Sequence, residues 1–205
     1  MYGVVERLKG KNAILYRANK QGTIKIAKLI NGKLRTDKID SFNNYILNHL
    51  NKELDVPLVI QEKDTSSLKR GYWLAGFSDA NGSFQIKIIS RKDRKQGYEI
   101  RLKLQFDQKT KFILDLIKEE FAGYLGYRKT QATYYFATTS FSSAKEVINY
   151  FDHYNLLSSK HVNYLKWRKV YRMIQSKEHL TKKGIEKILK IKLSMNSYSK
   201  ESFEL

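Results

Sequence analysis

The amino-acid sequence predicts an α+β fold, with a main unit of the order αββαββα, whose four strands form one antiparallel sheet. Two observations lead to this prediction. Apolar and polar residues alternate over residues 83–88 and again over 99–106, which is the period of strands that bury one face. Amphipathic helical patterns separate and follow the predicted strands. Helices should therefore cover one face of the sheet and leave the other open.

From residue 68 onward, each predicted element has a local signal. A helix covers residues 68–77 and ends in a turn, because Asp79, Asn81 and Gly82 are residue types favoured in turns. A basic connection at residues 90–97 joins the two alternating strands. The later elements are a helix at 111–121, strands at 124–130 and 133–138, and helices at 142–153, 159–175 and 181–193. The last helix is basic and carries Lys182, Lys183, Lys187, Lys190 and Lys192.

The first third of the chain resembles part of the main unit. Residues 12–31 match 130–149 at one constant offset, so that Tyr16 aligns with Tyr134, and a slightly larger offset aligns residues 36–42 with 158–164. We therefore predict that residues 1–65 form a partial, truncated repeat of two strands plus helices. Residues 66–205 are predicted to form the complete domain, including the basic C-terminal helix.

The composition favours a polyanionic partner and excludes several functional classes. The 205 residues include 39 Lys and Arg against 20 Asp and Glu, for a formal net charge of +19, and no Cys. Nucleic acid is the first candidate partner and an anionic membrane surface the second. Without Cys there is no disulfide framework, thiolate zinc site or Cys nucleophile. Because no apolar run approaches the roughly 20 residues of a membrane span, and residues 1–10 lack the apolar core of a secretory signal, we expect a soluble intracellular protein without a membrane partner.

Cationic and polar side chains fall on the open face of the predicted sheet. A two-stranded ribbon fits the major groove of DNA, where Arg or Lys reads guanine and Gln reads adenine, while RNA offers the same phosphates. The aromatic run at residues 134–136 is interpreted as core and sheet packing rather than base stacking. Lys160 is either a phosphate contact or a capping residue. The predicted nucleic-acid-binding residues are Ser83, Gln85, Lys87, Arg91, Lys92, Arg94, Lys95, Arg101, Lys103, Arg128, Lys129 and Lys160.

Residues 74–82 read LAGFSDANG, and this segment resembles the nine-residue motif of the LAGLIDADG homing endonucleases and maturases encoded by organellar group I introns. The flanks, Tyr72-Trp73 before and residues 83–87 after, agree with that family. The resemblance implies a saddle-shaped sheet that binds nucleic acid. It also implies two motif helices that pack through small residues, here Ala75, Gly76 and Ala80, each with an acid at the eighth position that holds Mg²⁺.

The sequence departs from the family pattern at the position that matters for cleavage. Asn81 occupies the eighth position, and an amide offers one neutral carbonyl ligand that cannot neutralise a dication. No catalytic residue is then intact, and Asp79 is left as a candidate metal ligand acting through water. No second motif occurs in residues 1–65, so a complete cleavage site needs a second chain or copy.

These departures lead us to expect a binding protein rather than an enzyme. The favoured partner is structured RNA, as for an intron maturase or a protein of an organellar ribosome, and no cofactor is required for binding. The alternative is a site-specific endonuclease for double-stranded DNA that acts with Mg²⁺ as a dimer or with a partner chain. A third alternative is that Asn81 replaces a native acid. The family resemblance and the AT-rich codon usage implied by the composition place the protein in the mitochondrion or another organelle.

Overall fold

The computed structural model describes residues 1–11, 13–94, 97–138 and 140–195. The chain divides into two compact units, Met1–Ser66 and Ser67–Leu205. This boundary falls next to the predicted one, between residues 65 and 66. None of the helices in the described residues combines the length and apolar character that a membrane span needs.

The first unit contains two strands followed by two helices. Asn19 caps the first helix, because its Oδ1 accepts from the Gly22 N–H at 2.9 Å. Ala27, Ile46 and Leu50 form a small core. The elements are β1 Gly3–Arg7, β2 Ile14–Ala18, α1 Lys20–Ile30, α2 Lys38–Asn48 and a 3₁₀ turn at Leu50–Glu53, with β1 and β2 antiparallel.

The second unit has the predicted order, with one four-stranded antiparallel sheet and helices on one face. The strands lie in the order β3-β4-β6-β5. The elements are α3 Trp73–Asn81, β3 Gly82–Ser90, β4 Tyr98–Gln108, α4 Phe112–Phe121, β5 Tyr124–Arg128, a 3₁₀ turn at Lys129–Gln131, β6 Thr133–Ala137, α5 Phe141–His153, α6 Lys160–Gln175, a 3₁₀ turn at Glu178–Leu180 and α7 Lys182–Leu193. The α+β fold class is confirmed. The first unit shares the order strand, strand, helix, helix with β5 to α6, while its origin as a truncated repeat stays a prediction.

Apolar residues at alternating positions of β3 and β4 form the centre of the core under the helices. Phe84 of β3 is only 2% exposed and lies 5.5 Å from the ring of Phe151, 5.5 Å from Tyr164 and 5.7 Å from Trp167, measured between ring centroids. These contacts hold α5 and α6 against the sheet. The opposite face of the sheet, which these helices do not cover, carries the polar residues.

The structure corrects the predicted bounds of the motif helix. The helix begins at Trp73 rather than residue 68 and continues to Asn81, so the predicted turn at residues 79–82 is helical up to the first residue of β3. Gly82 makes this direct passage from helix to strand sterically feasible. A Cβ there would lie 2.9 Å from the Ser78 carbonyl oxygen and 3.2 Å from Phe106 Cε1, closer than side chains normally pack.

Candidate nucleic-acid interface

The register between β3 and β4 brings five of the predicted binding residues together on one surface. Ser83 lies opposite Gln105, Gln85 opposite Lys103, and Lys87 opposite Arg101. Directly paired residues in an antiparallel sheet point to the same side. β5 and β6 extend this surface, because Asp107 lies opposite Tyr135 and Arg128 opposite Thr133. We call this surface the polar sheet face; its residues are Ser83, Gln85, Lys87, Glu99, Arg101, Lys103, Gln105, Asp107, Arg128 and Tyr135.

Glu99 fixes two arginines at the hairpin end of the polar sheet face. Its carboxylate accepts from Arg91 Nε at 2.8 Å and from Arg101 Nε and Nη2 at 2.6 and 3.1 Å. The hydrogen bond from Arg101, followed by that from Arg91, lowers the pKa of Glu99 to about 2. The same contact raises the pKa of Arg101. Two arginines share one carboxylate, so this end of the face keeps a positive charge while the guanidinium groups are held in place.

A second group, at the β6 side, surrounds the ring of Tyr135. The Arg128 guanidinium lies 4.4 Å from the ring centroid, and Lys103 Nζ lies 5.8 Å from it. Asp107 forms an ion pair with Arg128 and accepts from Gln105 Nε2 at 2.7 Å. Burial, then the charges of Lys87 and Arg128, lower the pKa of Lys103. Lys103 is therefore a half-buried ammonium group beside other cations, a position that a bound phosphate would stabilise.

The remaining predicted cations have different settings. Lys87 has no carboxylate partner among the residues that the structure describes, and it is exposed. Lys92 and Arg94 are exposed in the connection after β3, whereas Lys95 lies outside the described residues. Lys129 is exposed in the 3₁₀ turn between β5 and β6.

Asp79 connects the end of α3 to the segment before α6. One of its oxygens accepts from the Leu157 N–H at 2.8 Å, and the other accepts from the Ser158 N–H at 3.2 Å and Ser158 Oγ at 2.5 Å. Burial raises the pKa of Asp79, but these hydrogen bonds and the charge of Lys160 outweigh it, so the pKa lies below 3.8. Lys160 Nζ donates to the Ser78 carbonyl at 3.3 Å, which places it at this junction rather than on the polar sheet face.

Asn81 is exposed at the last position of α3. Its Nδ2 donates to the Phe77 carbonyl at 3.3 Å, a local bond to the preceding helical turn. The neighbouring Asp79 already uses both oxygens as acceptors. One amide and one carboxylate whose two oxygens already accept from Leu157 and Ser158 do not fit a Mg²⁺ site, which needs several free oxygen ligands and negative charge. Among the described residues, no three His, Asp or Glu side chains cluster closely enough to hold a metal ion.

The small residues of α3 divide between two sides of the helix. Gly76 and Ala80 are exposed, and a Cβ at Gly76 would meet nothing within 4 Å. Ala75 is instead 2% exposed in the core of its own unit, where its N–H donates to Tyr150 Oη at 3.1 Å. The expectation that Ala75 faces a second motif helix is corrected, because its side of α3 is already covered.

The list predicted from the sequence omits four residues of the polar sheet face, namely Glu99, Gln105, Asp107 and Tyr135. The prediction of core packing covers Tyr134, Tyr135 and Phe136 together, yet strand alternation places only Tyr134 and Phe136 on the core side. Gly126 lies opposite Tyr135, and the lack of a side chain leaves room for the ring, because a Cβ would meet it at 2.6 Å. Glu99 belongs to the predicted polar alternation, and the arginines at positions 91 and 101 are the signal in the sequence for its role.

The fold defines the class of protein. A single αββαββα unit, with α3 leading directly into an antiparallel sheet whose polar face is open, is the LAGLIDADG homing-endonuclease fold. The meganuclease I-AabMI, in a structure bound to uncleaved DNA, matches it with a TM-score of 0.75 at 24% identity, over 95% of this chain and 81% of that chain. I-SmaMI bound to its uncleaved DNA target gives a TM-score of 0.73 at 21% identity, over 95% and 79%.

The chain belongs to the LAGLIDADG homing endonuclease family. The family model described as LAGLIDADG endonuclease matches residues 74–171. A probable intron-encoded DNA endonuclease, aI1 of Mycosarcoma maydis, is 38% identical over 42% of this chain and 73% of its own length. An uncharacterized cox1 intron-2 protein of Schizosaccharomyces pombe is 50% identical over 92% of this chain, and the intron-encoded DNA endonuclease aI3 of Saccharomyces cerevisiae is 27% identical over 85%. The chain spans 58% and 51% of the length of these last two relatives.

Proposed function

We propose that this chain binds duplex DNA through the polar sheet face and supplies binding, rather than the metal centre, to a homing endonuclease. The observation that carries this proposal is the direct pairing of Gln85 with Lys103 and Lys87 with Arg101 on one open face. These side chains combine donors for guanine with an amide that suits adenine, on a ribbon that fits the major groove. This selection of side chains favours duplex DNA over RNA, whose major groove is too narrow for such a ribbon.

The end of α3 supports the second part of the proposal. Asn81 contributes no charge, and both oxygens of Asp79 hold the chain before α6. Strand cleavage with Mg²⁺ therefore requires carboxylates that the end of α3 does not offer, from a second copy, a partner chain or another segment of a longer protein. The exposed Gly76 and Ala80 give such a motif helix room to approach closely.

The binding half of this proposal is tested by comparing affinities at matched salt. The full chain should bind a fluorescent 24-bp duplex from a random-sequence DNA pool at least about tenfold more tightly, or about 1.4 kcal/mol, than an RNA duplex of the same length. Fluorescence anisotropy measured at several salt concentrations gives both values. Equal or tighter binding to the RNA would contradict the proposal.

Equal or tighter binding to RNA would instead support a second candidate function. In that case the chain binds structured RNA, as an intron maturase or a ribosome-associated protein does. The specific observation that favours this candidate is Asn81, since a holding role needs no metal carboxylate. Both candidates use the same cationic surface, and the nature of the tighter ligand distinguishes them.

The cleavage half is tested with Asn81→Asp. In the presence of Mg²⁺, the unaltered chain should not cut a plasmid that carries an uninterrupted cox1 gene. This gene is chosen because it appears in the name of the fission-yeast relative. Asn81 is exposed, so the variant should fold like the parent, and we expect nicking or cutting to appear only when a carboxylate is present there. If the unaltered chain cuts the plasmid in a metal-dependent way, and a variant that does not bind DNA no longer cuts it, the proposal that this chain supplies binding rather than the metal centre is refuted.

The location of the protein is inferred from its relatives. The names of two matching proteins place them in introns of a cox1 and an ND4 gene. An intron-encoded protein is made where the intron is transcribed, and we infer a mitochondrial setting for this chain as well.

A further inference from the structure

The basic helix α7 distributes its lysines over more than one surface. Lys192 lines a cavity of about 460 Å³ together with Lys87, Arg101 and Lys103 of the polar sheet face. Lys187 and Lys190 line a different cavity, formed with α6. Only part of the positive charge of α7 therefore lies beside the polar sheet face. The lysines at the second cavity form a separate cluster of positive charge.

The second cavity is an open groove of about 610 Å³ between α6 and α7, which we call the helix groove. Its rim carries Lys169 and Arg172 from α6 and Lys187 and Lys190 from α7. Residues three apart on a helix lie on the same side, so each helix directs two cations into the groove. Met173, which is 5% exposed, lies beneath them.

The charge of the helix groove is mostly uncompensated. Glu178 is the carboxylate at the groove, and it lies 3.6 Å from Lys187 Nζ and accepts from Ser176 Oγ at 3.3 Å. Within the described part of the chain, the other three cations form no ion pair with Asp or Glu. Like charges placed side by side repel each other and destabilise the folded unit unless an anion lies between them.

We infer that the helix groove binds the phosphodiester backbone of a nucleic-acid segment, separate from the segment on the polar sheet face. Lys and Arg are common contacts to phosphate oxygens, and the helix groove has no amide side chain to read base edges and no aromatic ring for base stacking in its lining. Binding at this site should therefore be independent of sequence and steeply dependent on salt.

A charge-matched pair of triple variants tests this inference in the full chain. The groove variant is Lys169→Ala, Arg172→Ala and Lys190→Ala. The control variant is Arg70→Ala, Lys118→Ala and Lys145→Ala, which removes one Arg and two Lys at exposed positions outside both surfaces. Affinity is measured by anisotropy with a 20-nucleotide oligo(U), its oligo(dT) counterpart and a 20-bp random duplex. The RNA and DNA arms show which nucleic acid the groove prefers.

We expect the groove variant to lose about tenfold or more in affinity for at least one probe, and the magnitude of the salt slope for that same probe to fall by about 2 to 3. The control should change by less than about threefold. The same loss should be seen when Lys87, Arg101 and Lys103 are already Ala, which separates this site from the polar sheet face. Any of three results would overturn the inference. The groove and control variants could have equal effects, or the groove variant could have no effect. The groove variant could also lose binding to phosphatidylserine vesicles while its affinity for nucleic acid does not change.

Discussion

Replacement of Lys87, Arg101 and Lys103 together by Ala is expected to weaken binding to duplex DNA about 100-fold at moderate salt. Each lost contact to a phosphate or base edge is worth about 1 kcal/mol, and about 2.7 kcal/mol corresponds to a factor of 100. The loss of Arg101 has an additional effect, because it frees part of the Glu99 carboxylate that now holds it. A less compensated carboxylate on the binding surface repels the phosphates and adds to the loss.

Anisotropy titrations over a range of salt concentrations measure this effect. The magnitude of the slope of log affinity against log salt should fall by about 2 to 3, since about 0.9 counterions are released for each phosphate neutralised. The control is Arg70→Ala, Lys118→Ala and Lys145→Ala, with the same change in net charge. If both triple variants lose affinity equally, net charge rather than the polar sheet face governs binding, and the proposed interface is wrong.

The sequence predicts this interface well because strand periodicity and register are local properties. The alternation in β3 and β4 already places Lys87 and Arg101 on one face, and the short connection between the strands makes them neighbours. The same periodicity, applied strictly, would also have placed Tyr135 on that face. The aromatic run at residues 134–136 suggests core packing, and this is correct for Phe136 but wrong for Tyr135.

The contacts of α3 could not be predicted in the same way, because they depend on residues far along the chain. The polar sequence at residues 79–82 indicates a turn when only local hydrogen bonds are considered. In the folded chain the partners of Asp79 are Leu157 and Ser158, which follow α5, so the helix continues to Asn81. Likewise, Ala75 and Gly76 are adjacent in sequence, and only the position of α5, through Tyr150, determines which of them is buried.

Asp79→Ala is therefore expected to destabilise the second unit by about 2 kcal/mol, the scale for loss of hydrogen bonds to a charged acceptor. The substitution leaves the Leu157 and Ser158 N–H groups without their acceptor and releases the segment that leads into α6. Asp79→Asn should lose less, because its amide oxygen still accepts from one side. Urea unfolding monitored by tryptophan fluorescence measures the difference, because both tryptophans, Trp73 and the buried Trp167, lie in this unit.

The effect of Asp79→Ala should also depend on pH in a defined direction. The pKa of Asp79 is lower in the folded chain than its ordinary value of 3.8, so the charged form stabilises the fold above that value and the contribution is lost as the pH falls through the folded-state pKa. The stability difference between the parent and Asp79→Ala should be constant from pH 7 to about 5 and shrink below 3.8. Glu119→Ala, which removes an exposed carboxylate on α4, should change stability by less than about 0.5 kcal/mol. A difference for Asp79→Ala that matches this control, or that grows on acidification, would show that Asp79 does not hold α3 to the segment before α6.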